Sequence, residues 1–185
     1  MRKLSEAVWV ALFVCGCSAK TPAKQEFPPS VAGFNLIDDV TETNGRTSAA
    51  YALMTGEGPV SVTVTTGQPR SASMLPALDQ GRDKVAVADG LIRAADAQVK
   101  RFYPAARVPE ATPALLVQHD ALQQGRMEMF EFDDLFGGIQ QPVRLTVYAF
   151  CCGPSGNAYE YRFRQAAETN AGPQIAAFLR ALPWQ

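Results

Sequence analysis

The sequence has little histidine, and it has no excess of charge of either sign. Its 185 residues include one His and four Cys, and 17 Lys and Arg residues stand against 18 Asp and Glu residues. Proteins that bind nucleic acid usually have an excess of positive charge. Because this chain has no such excess, we expect no nucleic-acid partner. The hydrophobic fraction of 47% is too high for a disordered chain, so the composition indicates a folded globular protein.

Motifs for catalysis and for metal binding are missing as well. The single histidine, His119, has no G-x-S-x-G elbow, S-x-x-K pair or reactive cysteine pattern to form a nucleophilic site with it. The chain also has no C-x-x-C, H-x-x-x-H or D-x-D-x-D-G pattern, so no metal site is predicted. We therefore expect a non-enzymatic protein that needs no cofactor.

Four acidic residues lie close together in one predicted strand and its exit, namely Glu128, Glu131, Asp133 and Asp134. Successive side chains of a strand point to opposite faces. Glu128 and Glu131 are an odd number of residues apart, so their carboxylates cannot converge. The pattern favours a solvated strand end, and a loose cation site at Asp133 and Asp134 stays open as the alternative.

The N-terminal apolar run is too short to cross a membrane. It covers residues 7–15, after Arg2 and Lys3, whereas a spanning helix needs about 20 apolar residues. A short positive start followed by an apolar run of this length is typical of a secretory signal peptide. We therefore assign residues 1–16 to a signal peptide that is removed from the mature protein.

The end of this segment resembles the lipobox of bacterial lipoproteins. Val14 lies three residues before Cys17 and Gly16 lies directly before it, which matches the aliphatic and small residues of that motif. The resemblance implies that Cys17 carries lipid and becomes the N-terminus, with 17–30 as a flexible tether. Two or three acyl chains would hold such a protein durably to a membrane. Because Ser18 rather than Asp follows the cysteine, the resemblance also implies the outer membrane of a bacterial envelope, on its periplasmic side.

The remainder of the chain, 31–185, has the pattern of a single α+β domain. Short runs that alternate apolar and polar residues predict seven strands, at 34–42, 47–55, 59–66, 114–122, 126–133, 143–152 and 158–165. Apolar stripes at helical spacing predict a long helix over 79–103 and a short one over 173–182. Strands on both sides of one long helix favour an antiparallel sheet of about six to seven strands covered by the helices.

This order of elements resembles the PsbP-like superfamily. The domain opens with Pro29-x-x-x-Gly33-Phe34 and closes with a short helix that ends near Trp184. The resemblance implies an α/β/α sandwich in a family of accessory and assembly proteins that mostly lack catalytic residues. It supplies no site residues for this chain, because the members share no common site.

Two adjacent cysteines, Cys151 and Cys152, form the most unusual pair in the sequence. Alternation along a strand would send Cys151 inward and Cys152 outward. Three states stay open, which are two unpaired thiols, a vicinal disulfide, and an intermolecular link through Cys152. Only the vicinal disulfide would suggest a redox pair that acts as a switch.

The last predicted hairpin suggests a surface for a protein partner. If 153–157 is its loop, Tyr148 lies opposite Arg162. This register would place four residues on one face of the sheet, namely Tyr148, Phe150, Arg162 and Arg164. Interfaces favour aromatic residues beside arginine, so we predict that these residues bind a partner. The alternative, in which a helix covers this face and the arginine heads reach its rim, stays open.

The sequence as a whole predicts a membrane-anchored envelope lipoprotein that acts as an accessory or assembly factor by binding a protein. A carrier of a small apolar or lipidic ligand, held between a helix and the sheet, is the second hypothesis. Thiol redox chemistry through Cys151 and Cys152 is the third. A carrier needs a sizeable closed apolar pocket, whereas a protein-binding factor needs an exposed patch of aromatic residues and arginine.

Overall fold

The computed structural model describes residues 26–38, 41–43, 45–68, 80–118 and 120–184. The predicted signal peptide, Cys17 and His119 lie outside these ranges. The described chain contains nine strands and two helices. In chain order they are β1 (Ser30–Val31), β2 (Phe34–Leu36), β3 (Thr41–Thr43), β4 (Arg46–Thr55), β5 (Gly58–Gly67), α1 (Gln80–Phe102), β6 (Thr112–Gln118), β7 (Ala121–Phe136), β8 (Ile139–Phe150), β9 (Ala158–Ala166) and α2 (Gly172–Ala181).

All nine strands belong to one sheet, in the order β1-β2-β4-β5-β9-β8-β7-β6, and β3 also pairs with β4. Every pairing is antiparallel. The prediction of an α+β fold, in the form of a compact PsbP-like α/β/α sandwich with six to seven strands, is therefore wrong, because strands dominate the described chain and form one large sheet of nine. A helix packs on this sheet.

The predicted strand count is too low because very short strands carry no readable alternation. The range 34–42, predicted as one strand, contains both β2 and β3, and β1 has only two residues. An alternating pattern has to run over about four residues before it identifies a strand. The β7–β8 hairpin is also longer than predicted, since β7 continues to Phe136 and β8 begins at Ile139.

The start of the described chain is fixed to the sheet just ahead of the predicted domain boundary at residue 31. The amide of Leu36 donates a hydrogen bond to the Pro29 carbonyl over 2.9 Å. The hydroxyl of Tyr51, on β4, donates to the Pro28 carbonyl over 3.0 Å. These two bonds hold the segment before β1 against the strands that follow it.

Helix α1 packs across one face of the sheet, over β7, β8 and β9. The predicted range of 79–103 agrees with the observed Gln80–Phe102. Its buried stripe repeats at helical spacing and packs on side chains of β7 and β8, the cluster being Ala88, Ile92, Ala95, Val99, Phe130, Val147 and Ala149. Phe102, which the same stripe would include, is instead 63% exposed at the last residue of the helix.

Helix α2 covers the opposite face. Phe178 lies at the centre of this layer, and its ring meets Phe34 and Tyr51 edge to face, with 5.0 Å and 5.3 Å between ring centroids. After the helix, the indole N–H of Trp184 donates to the Tyr161 hydroxyl over 2.7 Å. Buried rings therefore fill the space between α2 and the sheet. The polar groups of Trp184 and Tyr161 bond to each other within this layer.

Candidate partner-binding site

The four residues predicted to bind a partner lie on two faces of the sheet. Tyr148 lies opposite Tyr161 and not opposite Arg162, so the predicted register is wrong by one residue. The reason is the loop, which begins directly after Phe150. A slip of one residue sends every side chain of a strand to the other face. Tyr148 and Phe150 face α2, whereas Arg162 and Arg164 face the side of α1.

The two aromatic residues of this set belong to the core. Phe150 is buried, and its ring packs against that of Trp184 with 5.7 Å between centroids. Tyr148 is half-buried and meets the Phe163 ring edge to face at 6.0 Å. Burial raises the pKa of Tyr148. Both rings are therefore engaged in packing beneath α2, and Phe150 presents no surface.

Arg162 takes part in an ion cluster at the edge of α1. Its guanidinium donates to the carboxylate of Glu160 and, over 2.7 Å, to the side-chain oxygen of Gln98 on α1. Glu160 is buried and also lies 3.5 Å from Arg46 of β4. Two guanidinium groups thus compensate one buried carboxylate. This cluster links α1 to the sheet. The guanidinium of Arg162 therefore has its bonding partners within the same chain.

Arg164 takes part in a second cluster, at the end of the β7–β8 hairpin. It pairs with Asp134, donates to the Leu135 carbonyl over 3.2 Å, and lies 5.1 Å from the centroid of the Phe136 ring. The Tyr103 hydroxyl donates to the same Asp134 carboxylate over 2.5 Å. This bond from Tyr103, with a smaller contribution from Arg164, lowers the pKa of Asp134. The same bond raises the pKa of Tyr103.

The clustered acidic residues have separate surroundings. Glu131 pairs with Arg144 of β8 over 3.1 Å, and Asp134 belongs to the cluster with Arg164 just described. Glu128 is buried under α1, where burial and then the charge of Asp96 raise its pKa. In the part of the chain that the structure describes, no group of three or more His, Cys, Asp or Glu residues could hold a metal ion.

Cys151 and Cys152 are joined in a vicinal disulfide. Cys151 is buried and Cys152 is half-buried, at the start of the loop between β8 and β9. The amide of Gly153 donates to the Asn157 carbonyl over 2.9 Å and closes this loop. The redox role of the pair stays a prediction.

An open pocket lies at the C-terminal end of α1. Its volume is about 570 Å³, and it is formed by the helix end, the segment that follows it, and β7. Rings and charged groups both line it, including Phe102, Tyr103, Pro104, Arg107, Phe132 and Asp133. The described chain therefore offers a concave surface that the sequence interpretation did not identify.

Two sets of contacts hold the walls of this pocket in place. The Tyr103 ring stacks on Phe132, with 3.9 Å between centroids and 17° between planes. Arg107 forms an isolated β-bridge with Glu131 through two backbone hydrogen bonds of 2.9 Å and 3.1 Å. The bridge fixes the segment after α1 to the part of β7 that extends beyond the pairing with β6. Ring stacking and backbone bonds thus preform the pocket.

The rim of the pocket combines an exposed ring with positive charge. Phe102 is 63% exposed, and the Arg101 guanidinium lies over its ring, 5.7 Å from the centroid. Aromatic residues and arginine are enriched at protein interfaces, because a ring that leaves water and a forked donor both contribute strongly to binding. The available sequence signal was Phe102-Tyr103-Pro104 directly after a basic helix end.

No family model matches this chain, and no curated protein resembles it closely enough to count as a match. Within the described ranges, no helix is both long enough and apolar enough to cross a membrane. The interpretation of function therefore depends on the N-terminal motif and on the geometry of the pocket.

Proposed function

We propose that this protein is an envelope lipoprotein, anchored by lipid on Cys17, whose domain binds a protein partner at the pocket beside α1. The likeness of Val14, Gly16 and Cys17 to a lipobox supports the anchor. Ser18 supports a position on the outer membrane, facing the periplasm. The observation that carries the binding role is the exposed Phe102 at the rim of a preformed pocket of about 570 Å³. The role is that of a non-enzymatic accessory or assembly factor.

The form of the pocket favours a protein over a small lipidic ligand. A carrier encloses its ligand in a closed apolar cavity. This pocket is open, and Arg107 and Asp133 contribute charge to its lining. On the other face of the sheet, the space beneath α2 is occupied by rings such as Phe178 and Tyr51. An extended or looped protein segment, with an apolar anchor and polar flanks, suits the open pocket better.

A photo-crosslinking amino acid at Ala105, which is exposed and lines the pocket, tests this proposal in cells. The matched control carries the same amino acid at Met54, which is 75% exposed on β4. We expect a crosslink to one protein from Ala105 that Met54 does not give. Phe102→Ala should reduce this crosslink at least about tenfold, because exposed rings at interface centres are common hot spots.

Two results would count against the proposal. One is the same set of crosslinked proteins from Ala105 and Met54, which would indicate non-specific contact. The other is a lipid adduct in place of a protein at Ala105, which would favour the carrier hypothesis.

A further inference from the structure

One edge of the sheet has only one of the features that normally protect an exposed strand, which is Pro113 near the start of β6. Strand β6 is the last strand in the sheet, and in the described chain it pairs only with β7. Bare edges are templates for another strand, so proteins shorten them, charge them or cover them. The seven residues of β6, TPALLVQ, include no charged side chain. By contrast, β1 and β3 near the other end have only two and three residues.

Pro113 indicates which backbone groups of β6 point outward. Proline has no N–H, so within a sheet it occupies a position whose nitrogen points away from the neighbouring strand. Pro113 lies opposite Arg126 of β7 and is the second residue of β6. Because N–H directions alternate along a strand, the amides of Leu115 and Val117 also point away from β7. Two donors and the carbonyls beside them are therefore available at this edge.

Exposed apolar side chains accompany this edge. Leu115 is 68% exposed and Val117 is 54% exposed. Leu122 of β7 lies directly opposite Val117 and is 59% exposed. The three side chains lie on one face of the sheet, because positions two apart and directly opposed positions share a face. A cluster of this kind marks an interaction surface.

We propose that β6 pairs antiparallel with β6 of a second copy of this chain. The edge is complementary to itself, because a twofold axis places Leu115 of each copy opposite Val117 of the other. Apolar side chains then meet twice across the new pair, and no like charges oppose each other since the strand has none. The same face of both sheets lies on one side, so Leu122 of each copy extends the apolar surface.

The expected dimer is weak and depends on concentration. One strand and three apolar side chains from each copy form an interface smaller than the ~800 Å² per partner of stable complexes. Backbone hydrogen bonds contribute direction and register, as in other strand-addition complexes.

Sedimentation velocity of the full chain in a density-matched nonionic detergent tests the proposal. We expect a shift from monomer to dimer as concentration rises. Leu115→Lys combined with Val117→Lys adds the charge that guards natural edges and should weaken association at least about tenfold. Met54→Lys, at a residue 75% exposed on β4, is the matched control and should leave association unchanged.

A second variant distinguishes backbone pairing from non-specific association of apolar side chains. Val117→Pro removes one outward N–H and leaves the ladder with β7 intact, so it should also weaken the dimer. Hydrogen exchange should show slower amide exchange at Leu115 and Val117 as the dimer forms. A chain that stays monomeric at all concentrations overturns the proposal. So does a dimer that the lysine variants do not weaken, or a monomer in which these two amides are already protected by another occupant.

Discussion

Glu128 is a buried acid between β7 and α1. Burial, and then the charge of Asp96, raise its pKa, while Lys100 acts in the opposite direction. A raised pKa in the folded state means that folding favours the protonated carboxyl. The stability that this group contributes is therefore fully present at low pH, and it is lost as the pH rises through the folded-state pKa.

We expect Glu128→Gln to stabilise the fold at neutral pH by about 1 kcal/mol, because the amide carries no charge to desolvate or to repel Asp96. For a domain of this size that corresponds to a rise in Tm of roughly 2–4 °C. Thermal unfolding from about pH 4 to about pH 8 measures the difference in Tm between the variant and the wild type. This difference should grow as the pH rises. Glu168→Gln, at an exposed position, is the control and should leave the stability unchanged. A variant less stable than the wild type at neutral pH would contradict the assignment.

At the scale of elements, α2 is expected to be an integral layer of the fold. Phe178 is fully buried among rings, so Phe178→Ala should lower the free energy of unfolding by about 3–5 kcal/mol. Phe102→Ala removes a ring of the same size from a site that is 63% exposed, and it should change the free energy of unfolding by no more than about 0.5 kcal/mol. Urea unfolding of both variants compares them. Equal losses would mean that α2 does not pack as described.

Long elements could be predicted from the sequence because each has one buried and one exposed side over many residues. The predicted 79–103 and 59–66 agree with Gln80–Phe102 of α1 and Gly58–Gly67 of β5. The size of the sheet could not be predicted in this way. Strands of two and three residues, such as β1 and β3, satisfy no periodic pattern and form only because a neighbouring strand offers hydrogen bonds.

The register and the pocket depend on information that no local pattern contains. The alternating pattern of 143–152 continues through Cys151 and Cys152, although β8 already ends at Phe150. The predicted loop therefore began too late, and Tyr148 was assigned to the face of Arg162 when it lies opposite Tyr161 on the other face. The pocket depends on the stacking of Tyr103 on Phe132, which lie on different elements. The sequence shows which aromatic and arginine residues the chain contains. Which of them lie side by side depends on strand register and on contacts between elements, and no local pattern predicts those.

At the scale of the whole molecule, the proposed anchor and the proposed interfaces act together. A domain tethered to a membrane meets its neighbours at a higher effective concentration than a domain in solution. A weak pairing through the β6 edge then becomes significant, because association at the membrane no longer depends on high bulk concentration. The pocket beside α1 and the β6 edge are neighbours, because Arg107 bridges Glu131 of β7 just beyond the residues of β7 that pair with β6.

The anchor itself depends on one sulfur atom. We expect Cys17→Ser to abolish labelling by a fatty-acid analogue and to move the protein from the membrane fraction to the soluble fraction of a bacterium with two membranes. The reason is that each buried CH₂ contributes ~0.8 kcal/mol, so losing two or three acyl chains removes the attachment. Cys15→Ser is the matched control, because Val14 rather than a small residue precedes Cys15, and it should keep both label and location. Lipid label retained by Cys17→Ser, or lost in Cys15→Ser, would place the attachment elsewhere and remove the basis for an anchored domain.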